Sequence, residues 1–462
     1  MLQNIKKPHF IGIGGVGMSA IAHVLNKQGM QVSGSDAAQT SITEKLATDG
    51  VSICIGHAGE NLPADCDAVV ISSAIRQENP EIIEACKRNL PVYHRSDMLA
   101  ELMNDKLGVA VAGAHGKTTT TSMLSCVAVE AGIDPSYLIG GEVAALGGNA
   151  HFGSSDWLIA EADESDGSFL KFFPHLSIIT NIENDHLDHY KSVTQIKEAF
   201  LQFARQTSPT GAVILCFEDE NLIEMAGQLK TRVLSYAIDK EADYQAKNIE
   251  FGKNGSIYDV YFKGQFIIQI KLAVPGRHNI LNSLAVFAAA DILGITAEKI
   301  AVCLSDFTGA KRRFEKKAEI QDVLIVDDYA HHPSEIKSTL MAAKQLKKKR
   351  IIAVFQPHRY TRTQFLCEEF GSSFAFCDLL VLTEVYAAGE LPIEGISGQT
   401  LVDEVKKQGR KDVVFLPSPQ DVADYLAGIV QADDLVLTLG AGDIYKAGEL
   451  LAKKLLAKGD NI

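Results

Sequence analysis

The eight cysteines (Cys54, Cys66, Cys86, Cys126, Cys216, Cys303, Cys367 and Cys377) include no CxxC pair and no regular framework. That excludes a zinc knuckle or a disulfide-stapled scaffold and fits a reducing cytoplasm. No uninterrupted apolar run reaches about 18 residues, so no membrane insertion is expected. The apolar stretch at residues 10–25 contains four glycines and is followed by no small-residue cleavage site, so it reads as a strand and turn rather than a leader. Basic charge is also scarce. Lys plus Arg is 44 against 58 Asp plus Glu, net −14, and no third of the chain is positive, which argues against a nucleic-acid partner. There is no Pro-rich linker, low-complexity tract or internal repeat. What remains is an ordinary globular composition, 46% hydrophobic and 22% charged, in 462 residues. At roughly 150 residues per domain, that length is enough for about three domains.

The hydrophobic pattern divides the chain accordingly. From residue 8 it runs strand, Gly turn, helix, strand, the opening of a doubly wound sheet, with further β runs at 51–55 and 68–72. A second start at KLGVAVAGAHGKTTTT enters another Gly turn and helix, which puts a boundary near Asp105. Buried strands at DWLIAEAD and LSIITN follow, then a hairpin over 248–270 around KNGS. After KRRFEKK a third alternation begins, with five apolar strands separated by helices, read as a parallel α/β domain. The expected architecture is three α/β domains at 1–105, 106–312 and 313–462, the outer two Rossmann-like and the central one of P-loop type with a mostly parallel sheet.

Two turns carry phosphate chemistry. GIGGVG at 12–17 (Gly12, Gly14, Gly15, Val16, Gly17) lets a backbone approach a diphosphate while the next helix aims its N-terminal amides at it. Asp36, closing the following strand, is placed to accept from a ribose hydroxyl. GAHGKTTT at 113–120 is more specific: a lysine at position 117 can span the terminal phosphates of ATP and a Thr hydroxyl can ligate Mg2+. The strict P-loop would need Gly where Val111 stands, so this cradle is a shorter variant, and Lys117 reads as an exposed turn residue of small structural worth. Two polar clusters end apolar runs: Glu161, Asp163, Glu164 and Asp166, then Asp185, His186, Asp188 and His189. Beside a phosphate turn such a set is expected to supply at least one Mg2+ ligand, although each carboxylate alone reads more simply as a solvated loop or helix cap. His278, Asn279 and Asn282 begin an apolar helix, where amides can read adenine while Asn279 doubles as a cap. Lys311, Arg312 and Arg313 read as phosphate-neutralising cations or as a solvated linker, and Arg359 and Arg362 as carboxylate clamps.

The ordered set GIGGVGMS, GAHGKTTT, EADESDGSF, NIENDHLDHY, PGRHNILN, GAKRRFE, DDYAHHPSEI, QPHRYTRT and EVYAAGELPIEGISG, spread over residues 10–443, resembles the Mur ligases of peptidoglycan synthesis. The resemblance implies UDP-N-acetylmuramate and L-alanine as substrates, ATP as the energy source and two Mg2+ ions, in a monomer or homodimer. The EVYAAGELPIEGISG stretch favours attachment of alanine over attachment of a recycled tripeptide. It implies a UDP-sugar cradle at the first turn and an ATP cradle at Gly113, Ala114, His115, Gly116, Lys117, Thr118 and Thr119. Adenine contacts from Asn279 and Asn282 and a ribose contact from Asp328 are implied too. Metal ligands would be Thr118, Glu161 (preferred over Glu164) and His186. Arg313, His331, Arg359 and Arg362, with Tyr329 nearby, are implied around the reacting groups. A nicotinamide dehydrogenase would explain the first turn alone, and a P-loop switch the second alone.

Overall fold

A computed structural model describes residues 2–183, 190–253 and 255–459, and its described residues fall into three sheets. The first has five short parallel strands, β1 (Pro8–Ile11), β2 (Ser33–Asp36), β3 (Ser52–Ile55), β4 (Ala68–Ile71) and β5 (Val92–His94), in the order β3-β2-β1-β4-β5. The strand order reverses at β1, so the turn after β1 opens at a topological switch point, where open α/β sheets bind their ligands.

The second sheet has ten strands: β6 (Leu107–Ala112), β7 (Ser136–Val143), β8 (Gly148–His151), β9 (Trp157–Glu161), β10 (Leu176–Ile179), β11 (Ala212–Cys216), β12 (Val233–Ala237), β13 (Tyr244–Gly252), β14 (Gly255–Phe262) and β15 (Gln265–Leu272). Their order is β15-β14-β13-β12-β11-β10-β6-β9-β7-β8. β6 lies between β10 and β9, parallel to both, so the turn leaving β6 is flanked by the ends of its two neighbours. The helix Lys117–Glu130 that follows is buried along nearly its whole length. That explains why its sequence has no polar face.

The third sheet joins β16 (Glu315–Ile320), β17 (Val323–Asp328), β18 (Arg350–Phe355), β19 (Leu379–Leu382), β20 (Val413–Phe415) and β21 (Asp434–Leu439) in the order β16-β17-β21-β18-β19-β20. Alternate residues feed two separate cores: Ile351, Ala353 and Phe355 pack on one face, Ile352 and Val354 on the other. Burial on both faces makes these strands near-continuous apolar runs, the pattern that marked them in the sequence. One expectation is corrected here. The domain is not wholly parallel, because Glu315–Ile320, which follows the Lys311–Arg313 cations and carries no strand reading in the sequence, pairs antiparallel with β17. By contact the chain forms two compact units, Met1–Lys247 with Asp259–Ile270 and Leu281–Phe307, and Asn248–Tyr258 with Lys271–Ile280 and Thr308–Ile462. Among the described residues no helix is long and apolar enough to cross a membrane.

A buried polar knot holds the first sheet to its helix Pro80–Lys87. Glu81, with no exposed surface, accepts from His9 Nε2 (3.1 Å), Ser35 Oγ (2.7 Å), Asn61 Nδ2 (2.9 Å) and the Ala58 amide (3.2 Å). Burial alone would raise its pKa, but the bonds from His9, Ser35 and Asn61 outweigh it and hold the carboxyl down at about 2. A depressed folded-state pKa stabilises fully above the ordinary value of 4.5, and the contribution is lost as pH falls towards 2. The interval corresponds to about 3 kcal/mol. Glu81→Gln is therefore expected to melt well below wild type at pH 7 and to approach it at pH 3. A gap in melting temperature that does not narrow with acid would show that the ionised carboxylate is not the source.

Candidate active site

The turn leaving β6 is fastened by the residues that follow β10. Thr180 Oγ1 donates to His115 O (2.5 Å), Asn181 Nδ2 to the same carbonyl (3.0 Å), and the His115 amide to Asn181 Oδ1 (2.9 Å). Gly113 sits at φ +132°, and a side chain there would collide with Thr180 Oγ1. Gly116, at φ +85°, would bring a Cβ within 2.6 Å of Asn282 Oδ1. Both positions thus need glycine for conformation and for space. Gly116 caps the helix Lys117–Glu130 without a side-chain bond, leaving the first-turn backbone as the donor set an anion requires.

Lys117 is only 18% exposed, so its reading as an exposed turn residue is corrected. Its ammonium folds over the turn, donating to Gly113 O (2.5 Å) and Ala114 O (3.3 Å), and pairs at 2.7 Å with Glu164, which is buried. Burial would lower the lysine pKa, but the adjacent Glu164 carboxylate overcomes it and holds the group above its ordinary value, firmly charged. Thr118 Oγ1 donates to Glu161 Oε2 (3.1 Å), while Glu161 Oε1 accepts from the Gly140 amide (2.5 Å). The two acidic residues three apart therefore divide their work, Glu164 with the lysine and Glu161 with the threonine. A hydroxyl and a carboxylate side by side are the hard oxygen donors Mg2+ takes. Thr119 is buried one residue further along the helix. His115 Nε2 lies 3.2 Å from Glu183 Oε2. His186, with Asp185, Asp188 and His189, lies outside the described residues.

Asn282 is buried against the turn at Gly116. Asn279 lies within the first turn of the helix Arg277–Ile292, not ahead of it, and its Nδ2 donates to Pro275 O (2.6 Å). Its reading as a cap is thereby corrected.

In the first domain Gly12 and Ile13 donate to Ser35 O (2.8 and 2.9 Å), and the uncapped helix Val16–Lys27 begins beyond Gly15. Asp36 Oδ2 accepts from the Gly14 amide (2.8 Å) and Oδ1 from Ala38 (3.3 Å). The carboxylate read as a ribose acceptor thus braces the turn itself, because the parallel register of β1 with β2 delivers it there.

Within the second unit, Arg313 lies 5.2 Å from the centroid of the Tyr329 ring. Arg312, its neighbour, is not a free phosphate cation: it pairs with buried Asp327 (2.9 Å) and donates to Gly440 O (2.6 Å) and Gly442 O (3.0 Å) between the rings of Tyr329 and Tyr445. Asp328 accepts from the amides of Phe314 (2.7 Å) and Ala330 (2.8 Å), and burial pushes its carboxyl up to about 6. His331, whose amide donates to Glu335 (2.9 Å), lies 5.9 Å from the ring of His358. His358 in turn stacks on Tyr386 (5.7 Å) and faces Arg362 Nη1 across 3.4 Å. Burial first, then the charges of His331, Arg362 and Arg359, drive the His358 pKa down to about 3, so the ring is neutral and its Nδ1 accepts from the guanidinium. Arg359 caps the helix Tyr360–Phe365 at φ +68°, its amide donating to Tyr386 O (2.9 Å). His358 and Tyr386 lie inside QPHRYTRT and EVYAAGELPIEGISG, where nothing in the sequence distinguishes them from their neighbours.

A phosphate turn whose lysine is anchored by a buried carboxylate, seated on one of three α/β sheets, defines a nucleotide-dependent enzyme. Residues 7–107 match the description "Mur ligase family, catalytic domain", 111–290 "Mur ligase middle domain" and 312–442 "Mur ligase, glutamate ligase domain". The chain belongs to the Mur ligase family, and it is an ATP-dependent, ADP-forming ligase. It is 48% identical over 448 residues, 97% of each chain, to the UDP-N-acetylmuramate–L-alanine ligase of Pelotomaculum thermopropionicum. Its fold is similar to the crystal structure of the UDP-N-acetylmuramate-alanine ligase MurC from Thermotoga maritima, with a TM-score of 0.83 and 31% identity over 98% of this chain and 99% of that one. The murein peptide ligase from Psychrobacter arcticus is less similar, with a TM-score of 0.73 and 26% identity over 97% and 98%.

Proposed function

We propose that this chain joins L-alanine to the lactyl carboxylate of UDP-N-acetylmuramate in the cytoplasm, converting ATP to ADP and phosphate through an acyl phosphate. The observation that carries the reading is the 48% identity, spanning 97% of both chains, to a ligase of that name. The lower similarity to a murein peptide ligase supports alanine over a recycled tripeptide as the acceptor. Residues 1–105 would take the UDP-sugar, 106–312 the ATP and 313–462 the amino acid.

A carboxylate is a poor electrophile, so the γ-phosphoryl group is transferred to it first. Lys117, held charged over the turn, stabilises negative charge on that group, and the first-turn amides of the helix Lys117–Glu130 hold the phosphates. Thr118 and Glu161 would hold one Mg2+ and His186 a second, supplying charge neutralisation at the transferring phosphoryl group. The free amine of alanine then attacks the acyl carbon, and the tetrahedral intermediate collapses with cleavage of the acyl C–O bond, loss of the amine proton and departure of inorganic phosphate. Arg313, Arg359 and Arg362 stabilise the oxyanion and orient the amino-acid carboxylate, Arg362 being steadied by neutral His358, with His331 beside it. Asn279, Asn282 and Asp328 serve the nucleoside of ATP.

The deciding experiment is phosphate release with ATP, UDP-N-acetylmuramate and each acceptor in turn. Release with L-alanine is expected; release with the tripeptide and not with alanine would overturn the reading. At the first cradle, a Cβ on Gly14 would lie 2.9 Å from Asp36 Oδ2 and 3.1 Å from Thr43. Gly14→Val is expected to raise the KM for UDP-N-acetylmuramate about tenfold or more, with a smaller change for ATP. Equal changes in both constants would mean general misfolding.

A further inference from the structure

Arg95 is the first residue of the helix Arg95–Asn104, directly after β5, and no step above uses it. Its guanidinium lies between the start of the helix Val16–Lys27 and Asp163. Towards the first, a Cβ built on Gly17 would be 3.3 Å from Arg95 Nη1, so the group covers the first turn of the helix Val16–Lys27. Towards the second, Nη2 donates to Asp163 Oδ2 at 2.7 Å. Asp163 is pinned through its other oxygen by the amide (3.1 Å) and hydroxyl (2.6 Å) of Ser165. It stands between Glu161, bonded to Thr118, and Glu164, bonded to Lys117. The segment that carries both contacts to the ATP turn is thus tied through one arginine to the rim of the other cradle. Lys171, the neighbouring cation, is engaged instead with Ser96 and Asp97.

We propose that Arg95 is a positioning residue that bridges the diphosphate of the UDP-sugar to Asp163, and so couples occupancy of the UDP-sugar cradle to the arrangement of the ATP turn. This rests on the assignment of the first cradle to the UDP-sugar. A planar guanidinium can serve two acceptors at once, Nη1 facing the diphosphate while Nη2 keeps Asp163. The coupling is reciprocal: bound UDP-sugar tightens ATP, and ATP tightens the UDP-sugar by the same factor.

The test is calorimetric titration of UDP-N-acetylmuramate into the full-length enzyme, with and without a non-hydrolysable ATP analogue. In wild type the analogue is expected to tighten binding about fivefold or more. Arg95→Ala weakens the sugar nucleotide about tenfold and abolishes the effect of the analogue. Asp163→Asn keeps the affinity for UDP-N-acetylmuramate alone within about threefold, yet also loses the effect. Arg95→Lys recovers affinity without the coupling, since an ammonium lacks the planar fork. Melting temperatures near wild type exclude unfolding as the cause. Wild-type coupling in any of these variants, or binding without coupling in wild type, would overturn the bridge and leave the function standing. Failure of wild type to bind UDP-N-acetylmuramate would overturn the function itself.

Discussion

Lys117→Ala should lower turnover about a thousandfold or more, because it removes the cation held over the phosphate turn, and such groups contribute 10²–10⁵ in rate. The structure adds a second effect that a solvent-exposed turn lysine would not produce. Glu164 is 2% exposed and faces the ammonium at 2.7 Å, so the variant also removes the cation opposite a buried carboxylate. Stability should fall by about 1–3 kcal/mol, and Glu164→Gln added to Lys117→Ala should restore part of it without restoring turnover. Phosphate release and calorimetric melting separate the two effects. Near-normal turnover in the folded variant would remove Lys117 from the ATP site.

The largest stability effect is expected at Arg312. Its guanidinium bonds Asp327, Gly440 and Gly442 and lies against two tyrosine rings, and Asp327 has no exposed surface. Burial raises the Asp327 pKa against the pull of Arg312, so the carboxylate depends on that cation. Breaking a buried pair from one side costs about 3–5 kcal/mol, and Arg312→Ala should lower the melting temperature of the second unit by roughly 10 °C. Arg312→Ala with Asp327→Asn should lose less than the single change. A shift below about 2 °C would return Arg312 to the class of solvated linker cations.

These two residues also show where sequence reading ended. The strand and helix flanking Lys117 are strong periodic signals, and the turn between them was legible as a phosphate cradle. Its burial was not, since that depends on Glu164 arriving from the end of another strand. At residues 311–313 three successive cations look alike in one dimension, and only the register of β16 on β17 determines which one meets Asp327. Strand β16 itself is hidden because the only apolar residues of EKKAEI, Ala318 and Ile320, are too few to set a period, and β8, GNAH, is equally silent. The four strands β17, β18, β19 and β21 are plain in the sequence because both of their faces are buried. The coincidence of strand, turn, helix and acidic residue points to Asp36 as a ribose acceptor; its bond from the Gly14 amide is set by strand register, which a motif does not encode.

The charge of β16 has a further effect, on the solution behaviour of the third sheet. As the outermost strand among the described residues it leaves one backbone edge outside the ladder, the usual template for indiscriminate strand addition between molecules. Lys316 pairs with Glu319 and Lys317 with Glu315 and Glu449, and the ladder is irregular between Lys316 and Ala318. An incoming strand would have to desolvate these ions and match a broken repeat, while the opposite edge, β20, offers only three residues. The charge and irregular pairing of β16 thus make this edge a poor template for fibrillar stacking.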